Sequence, residues 1–233
     1  MLHLKLSRSC PIPAIRRPPW PARIRTAALA PVGRYLSRQA SQPRGAVGRL
    51  LAWRWVSETA AVNDIAVEIA KPEAGERICE IGFGPGRTLA LLAAAGAEVV
   101  GIEVSPDMVK IAARRNAEAI NTGRMELHRG DGIQIPLPDD SLDAALAVYN
   151  VYFWPDPAAT IAELARTLRP GGRLVLVSLA EDYPLSARFE RSVYRVPSTA
   201  EATRWLEAAG FVSVGVERRP HLASTVWLTA TVS

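Results

Sequence analysis

The chain has 233 residues, 48% hydrophobic and 22% charged, a composition that fits a globular protein and excludes a disordered chain. Its two cysteines, Cys10 and Cys79, are too far apart for a disulfide framework, and its three scattered histidines lack zinc-site spacing, so no metal is expected. The net charge of +5 is uneven: residues 1–57 carry 11 Lys or Arg and no acid, leaving 17 basic against 23 acidic residues in the body.

Residues 1–43 form a basic, Arg- and Pro-rich leader that is expected to be disordered. Arginines and serines without acids suit a mitochondrial transit peptide, whereas prolines at 11, 13, 18, 19 and 21 break the amphipathic helix such a peptide needs. The expected location is the cytoplasm, with the mitochondrion as the alternative. No apolar run reaches the roughly 18 residues of a membrane span, so no transmembrane segment is expected. Residues 44–75 read as N-terminal cap helices. Within them Arg44, Arg49 and Arg54 alternate with Val47, Leu50, Leu51, Trp53 and Trp55, a pattern open to two readings: contact with anionic lipid, or a helix covering the domain edge.

From Thr59 onward helices and strands alternate. Val62, Ile65, Ala66 and Ile69 recur at helical spacing and stop before Pro72. Arg77–Ile81 is a short apolar strand that runs into glycines, and Thr88–Ala95 is a helix closed by Gly96. Glu98–Ile102 is the second strand; Ser105 then caps a helix with Pro106 at its first position. Strands follow around Arg124–His128 and at Leu142–Val148. A helix with Ile161, Leu164, Ala165 and Leu168 on one face leads to a strand at Arg173–Leu179. Ser198 and Glu201 fit a capping box ahead of Ala202, Trp205, Leu206 and Ala209. Strands Phe211–Glu217 and Thr225–Val232, joined by a short loop, must be antiparallel.

Strands alternating with helices predict a doubly wound α/β fold: a mostly parallel, seven-stranded sheet with an antiparallel strand at or near one edge. Between its first strand and the next helix lies Glu80-Ile81-Gly82-Phe83-Gly84-Pro85-Gly86, whose glycines allow a tight turn and close approach of backbone to a ligand. Glu103, at the end of the second strand and 17 residues after Gly86, is placed to accept hydrogen bonds from ribose hydroxyls. A dinucleotide fingerprint needs Gly or Ala at position 87, where this chain has Arg87, and Glu80 would repel phosphates. An aminoacyl nucleoside suits the loop better, and an NAD(P)-dependent oxidoreductase is the weaker enzymatic reading.

These residues resemble class I S-adenosylmethionine-dependent methyltransferases, in particular their small, single-domain type 11 branch, over about residues 59–217. The resemblance implies a Rossmann-like methyltransferase domain over residues 76–233 with S-adenosyl-L-methionine as cofactor. Glu80, Gly82, Gly84 and Gly86 match the loop that holds the methionine moiety, and Glu103 the ribose-binding acid. Val104 and Met108 match positions beside the adenine, and Asp131 with Gly132 the site that accepts from its amino group. Leu168-Arg169-Pro170-Gly171-Gly172 resembles the turn before the family's fifth strand.

The fourth strand ends Val148-Tyr149-Asn150-Val151-Tyr152-Phe153-Trp154-Pro155, which in such a sheet faces the ligand, so Asn150 joins the expected cofactor site. The segment departs from the Asn-Pro-Pro-Tyr pattern of enzymes acting on nucleic-acid amino groups. With the acidic body, this argues against a nucleic-acid substrate. A sulfonium methyl is already electrophilic, so alignment supplies much of the rate and no catalytic constellation is required. His221, Tyr149 and Tyr152 are the candidate bases, and the catalytic residue stays unassigned. The acceptor is expected to be a small molecule or lipid-like, met by the helix at 44–57 and by the segment Ala180–Pro197, with Tyr183, Arg188, Phe189, Arg191, Tyr194 and Arg195. A nucleoside-binding adaptor of the same fold without turnover is the alternative from another class.

Overall fold

The computed structural model describes residues 22–183 and 190–233, with residues 22–31 described by their backbone alone. Three helices come first: α1 (Ala22–Ser41), α2 (Gly45–Glu58) and α3 (Ala60–Ala70). The strands are β1 (Arg77–Ile81), β2 (Glu98–Glu103), β3 (Met125–Arg129), β4 (Leu142–Val148), β5 (Leu168–Leu179), β6 (Phe211–Glu217) and β7 (Thr225–Val232). Between them lie α4 (Arg87–Ala94), α5 (Pro106–Arg115), α6 (Ala117–Asn121), α7 (Pro157–Thr167) and α8 (Thr199–Ala208).

The seven strands form one sheet in the order β3-β2-β1-β4-β5-β7-β6. The first five run parallel, and β7 lies antiparallel between β5 and the edge strand β6. This is the predicted doubly wound sheet. Successive side chains of a strand point to opposite faces, and here both faces are covered. Cys79, Ile81, Ala145, Ala147 and Leu176 pack toward α7 and α8, whereas Ile78, Ala144, Leu146, Val175 and Trp227 pack toward α3 and α4. That two-sided burial is why the central strands read as continuous apolar runs.

Ser105 caps α5 as expected, its hydroxyl accepting from the Met108 amide at 3.3 Å, and the Ser198 hydroxyl accepts from the Glu201 amide at 3.1 Å at the start of α8. The turn expected at Leu168–Gly172 belongs to β5 itself. Leu168 pairs with Leu142 and Arg173 with Ala144, so the intervening residues bulge out of the ladder without ending the strand.

The disorder expected through residue 43 gives way to helix at Ala22–Ser41. The dense run of prolines ends at position 21, and the Ala- and Arg-rich segment behind it, with Pro31 as its single proline, favours helix. Its end is anchored: Ser37 is fully buried and its hydroxyl accepts from the Glu190 amide at 2.8 Å. Residues 1–21, on which the transit-peptide reading depends, lie outside the described residues, as do Arg188 and Phe189 of the expected acceptor segment. No described helix is long and apolar enough to cross a membrane.

Candidate active site

The chain passes from β1 outward to β2 and β3, then returns to add β4 on the other side of β1. Beyond the carboxyl ends of these strands, at this reversal, lies a cavity of about 320 Å³. Glu80, Gly82, Gly84, Glu103, Val104, Met108, Asp131 and Asn150 all line it. Its roof comes from Ala40–Pro43 at the end of α1 and just beyond it, from Trp55 of α2, from Thr59 between α2 and α3, and from Asn63 of α3.

Glu80 is buried on the sheet face of Ile78, the face that α3 and α4 cover. Burial pushes its carboxyl up to about 8; a hydrogen bond with Thr88 works the other way, and Glu103 adds to the rise. One of its oxygens, Oε2, is buried without a partner, and so is Asn150 Oδ1. The Asn150 amide nitrogen meanwhile donates to the carbonyl of Ile81. Two orphaned acceptors on one cavity are a standing cost unless a donor-rich, cationic group meets them.

Glu103 is also buried, at 5% exposure, and burial raises its pKa against the opposing amide hydrogen bonds. Its Oε2 accepts from the Gly84 amide at 3.0 Å and its Oε1 from the Ser105 amide at 2.8 Å. The carboxylate thus holds the glycine loop and the start of α5 together.

Two expected cofactor residues, Gly86 and Gly132, do not line the cavity. Gly86 has φ +75°, and a Cβ there would come within 2.7 Å of Ala112 Cβ and 2.8 Å of Asn116 Nδ2, so its bare backbone serves the packing of α4 on α5. A Cβ on Gly132 would face Thr160 Cγ2 at 3.1 Å and Ile81 Cγ2 at 3.3 Å. Gly84 differs: at φ +52° it has nothing within 4 Å of where its Cβ would be, the open approach a ligand needs. Arg87 leaves the cavity clear, pairing with Asp64 at 2.8 Å, and Phe83 seats over Gly101, where a Cβ would lie 2.6 Å from its ring.

At the end of β4, Tyr149 holds a left-handed backbone at φ 55°, rare for a residue with a side chain, and its hydroxyl hydrogen-bonds Thr225. Tyr149, Tyr152, Phe153, Trp154 and Tyr194 wall the cavity beside Asn150. Tyr194 stacks on Tyr152 at 5.3 Å and meets Phe153 edge-on at 4.8 Å. Of the candidate bases, His221 lies outside the cavity lining. Burial raises both Tyr149 and Tyr152, which keeps the phenols protonated near neutral pH. Sequence reasoning missed Thr88 and Asn63. Thr88 had one signal: a buried Glu80 needs a donor, and Thr88 stands in the first turn of the helix that follows the loop.

A family model described as "Methyltransferase domain" matches residues 79–176. A demethylmenaquinone methyltransferase of Clavibacter sepedonicus is 33% identical over 195 residues, covering 72% of this chain and 75% of that protein. The chain belongs to the class I S-adenosylmethionine-dependent methyltransferases. An O-methyltransferase of Penicillium expansum is 31% identical over 162 residues, covering 66% of the chain and 58% of the relative. The solved methyltransferase of Aquifex aeolicus has the same fold, with TM-score 0.61 at 21% identity, over 73% of this chain and 89% of that one. So does the [4+2]-cyclase SpnF, with TM-score 0.62 at 21% identity, over 74% and 80%. SpnF is named for another reaction, so the fold alone does not fix the chemistry.

The family's cofactor, S-adenosylmethionine, fits the residues present. The orphaned oxygens of Glu80 and Asn150 suit an aminoacyl ammonium, and Gly84 leaves room for close approach. A nicotinamide dinucleotide does not fit. Acids line the cavity at Glu80, Glu103 and Asp131, and no Lys, Arg or His lines it among the described residues, so a diphosphate has no counter-charge.

Proposed function

We infer that this enzyme methylates a small, largely apolar acceptor of small-molecule or lipid-like kind. The cavity wall carries the inference: beside the acids it is aromatic, with no described cation to take a phosphate or nucleic-acid backbone. The relative named for demethylmenaquinone acts on a lipid-like acceptor, which supports the same reading.

In this reading Glu80 and Asn150 hold the cofactor's ammonium, Glu103 takes the ribose hydroxyls, and Val104, Met108 and Asp131 surround the adenine. Bound there, S-adenosylmethionine supplies an electrophilic methyl group on a sulfonium. Tyr149, Tyr152, Phe153 and Tyr194 exclude water and hold the acceptor in line, which provides much of the rate. Asp131 is exposed, its Oδ1 held by the Ile133 amide at 3.1 Å, which leaves Oδ2 to accept from the ligand.

The test is transfer from methyl-labelled cofactor into three separate pools: a lipid extract, an aqueous metabolite extract and total nucleic acid. Label in either of the first two is expected. Label in nucleic acid alone would overturn the acceptor class, and tight cofactor binding with no transfer to any pool would favour the adaptor.

A further inference from the structure

Helix α2 is apolar on opposite sides. Ala52 is buried against the domain and Trp55 turns inward to line the cavity roof. On the other side Trp53 is 76% exposed, Leu50 67% and Val47 40%. Positions 47, 50 and 53 lie at successive helical steps of three, so these side chains make one stripe. A helix of a globular protein normally turns its apolar stripe to the core and its polar face to water, so a second, outward apolar stripe calls for a partner. Among the described residues nothing covers this stripe, and Arg49 and Arg54 beside it are exposed as well.

We propose that the stripe Val47–Leu50–Trp53, with its arginine flanks, docks the enzyme on an anionic bilayer surface. Charge selects this occupant. Residues 22–57 contain seven arginines and no acid, whereas the rest of the body is net acidic. Arg34, Arg38, Arg44 and Arg49 enter no ion pair with a described residue; Arg54 pairs with Glu58 at 2.5 Å on the exposed surface. A second copy of the chain seated by two-fold symmetry would bring these arginines against their own images. A leaflet rich in anionic headgroups takes the arginines at its surface while Trp53 and Leu50 enter the interfacial layer. The docked helix is also the roof of the cavity, so its inner face opens on the site while its outer face meets lipid. The surface goes beyond the acceptor reading and does not depend on it, since binding is measured without turnover.

The experiment is co-sedimentation of the full chain with phosphatidylcholine vesicles and with vesicles containing about one-third phosphatidylglycerol. Binding is expected to the anionic vesicles, to fall steeply with added salt, and to be weak on neutral ones. The variant Leu50→Glu/Trp53→Glu should lose roughly tenfold or more in partitioning, and Arg49→Glu should lose several-fold. Cofactor affinity of each variant, measured by calorimetry, serves as the folding control and should stay unchanged. No binding by the unaltered chain overturns the proposal. So does undiminished binding by the double variant, which would assign the contact to another segment. A concentration-dependent dimer abolished by the same variant also overturns it, making the stripe a self-association surface.

Discussion

The Glu103 carboxylate accepts the Gly84 amide at 3.0 Å, so the side chain that ends the second strand also holds the loop that follows the first. Its second oxygen takes the Ser105 amide at 2.8 Å. A residue legible in the sequence as a ligand-binding acid is therefore also the brace that shapes the loop around the ligand. Replacing it removes both roles. Glu103→Ala should weaken cofactor binding by roughly ten- to a hundredfold through lost charged hydrogen bonds. It should also lower the melting temperature of the free enzyme, because two amides lose their acceptor. Unchanged affinity by calorimetry would refute the assignment.

Glu80 predicts a pH dependence. Its carboxyl, at about 8 in the folded chain against an ordinary 4.5, keeps a proton that the unfolded chain gives up. The folded state thus binds more protons in that interval, so this group's contribution to stability falls as pH rises from about 4.5 to about 8 and levels beyond. Glu80→Gln should remove that component, read as a flatter profile of urea midpoint against pH. Cofactor binding has the opposite slope. An ammonium favours the ionised carboxylate, so affinity should rise with pH up to about 8 in the parent and lose this slope in the variant. Parallel profiles for parent and variant would separate Glu80 from both effects.

Gly84 and Gly86 should fail differently. Gly86→Ala combines a left-handed backbone with collision against Ala112 and Asn116, a loss of roughly 2–4 kcal/mol in folding stability. Gly84→Ala carries only the backbone strain, about 1–2 kcal/mol, but puts a methyl group into the open side of the loop. Its larger effect should be on cofactor affinity. Denaturation and binding measured on the same pair would show the two losses in opposite order, and equal losses would contradict the distinction.

Tyr149→Phe tests whether a phenol acts as base. A general base contributes about 10²–10⁴ in rate, so its removal is unmistakable. With Tyr149 raised by burial and bonded to Thr225, turnover should fall less than about tenfold. A hundredfold fall in kcat with unchanged cofactor affinity would instead make Tyr149 the base.

The order of helices and strands was legible because each carries its own periodicity and punctuation: Pro72 after α3, Ser105-Pro106 at the start of α5, Gly96 and Gly210 after their helices. The strands at 142–148, 211–217 and 225–232 begin and end where the apolar pattern does. The part read least well was α1, because clustered prolines and arginines suggest disorder while the contacts that seat its end lie far along the chain. The Ser105 hydroxyl donates to the Pro43 carbonyl at 2.5 Å and Asp107 accepts from the Gly45 amide at 2.6 Å, pairs 62 residues apart.

By itself the sequence determined the alternating fold, the acid-flanked glycine loop and the preference for an aminoacyl nucleoside over a dinucleotide, since those depend on residue type and local spacing. Only the tertiary structure decided which glycines open on the cavity and which pack helices. It also decided that Glu80 and Asn150 each keep one oxygen unpartnered, and that α1, α2 and α3 all contribute to the roof. A residue's neighbours across a parallel sheet come from distant segments, so what surrounds a carboxylate or a glycine is set by packing and not by the residues beside it in the chain.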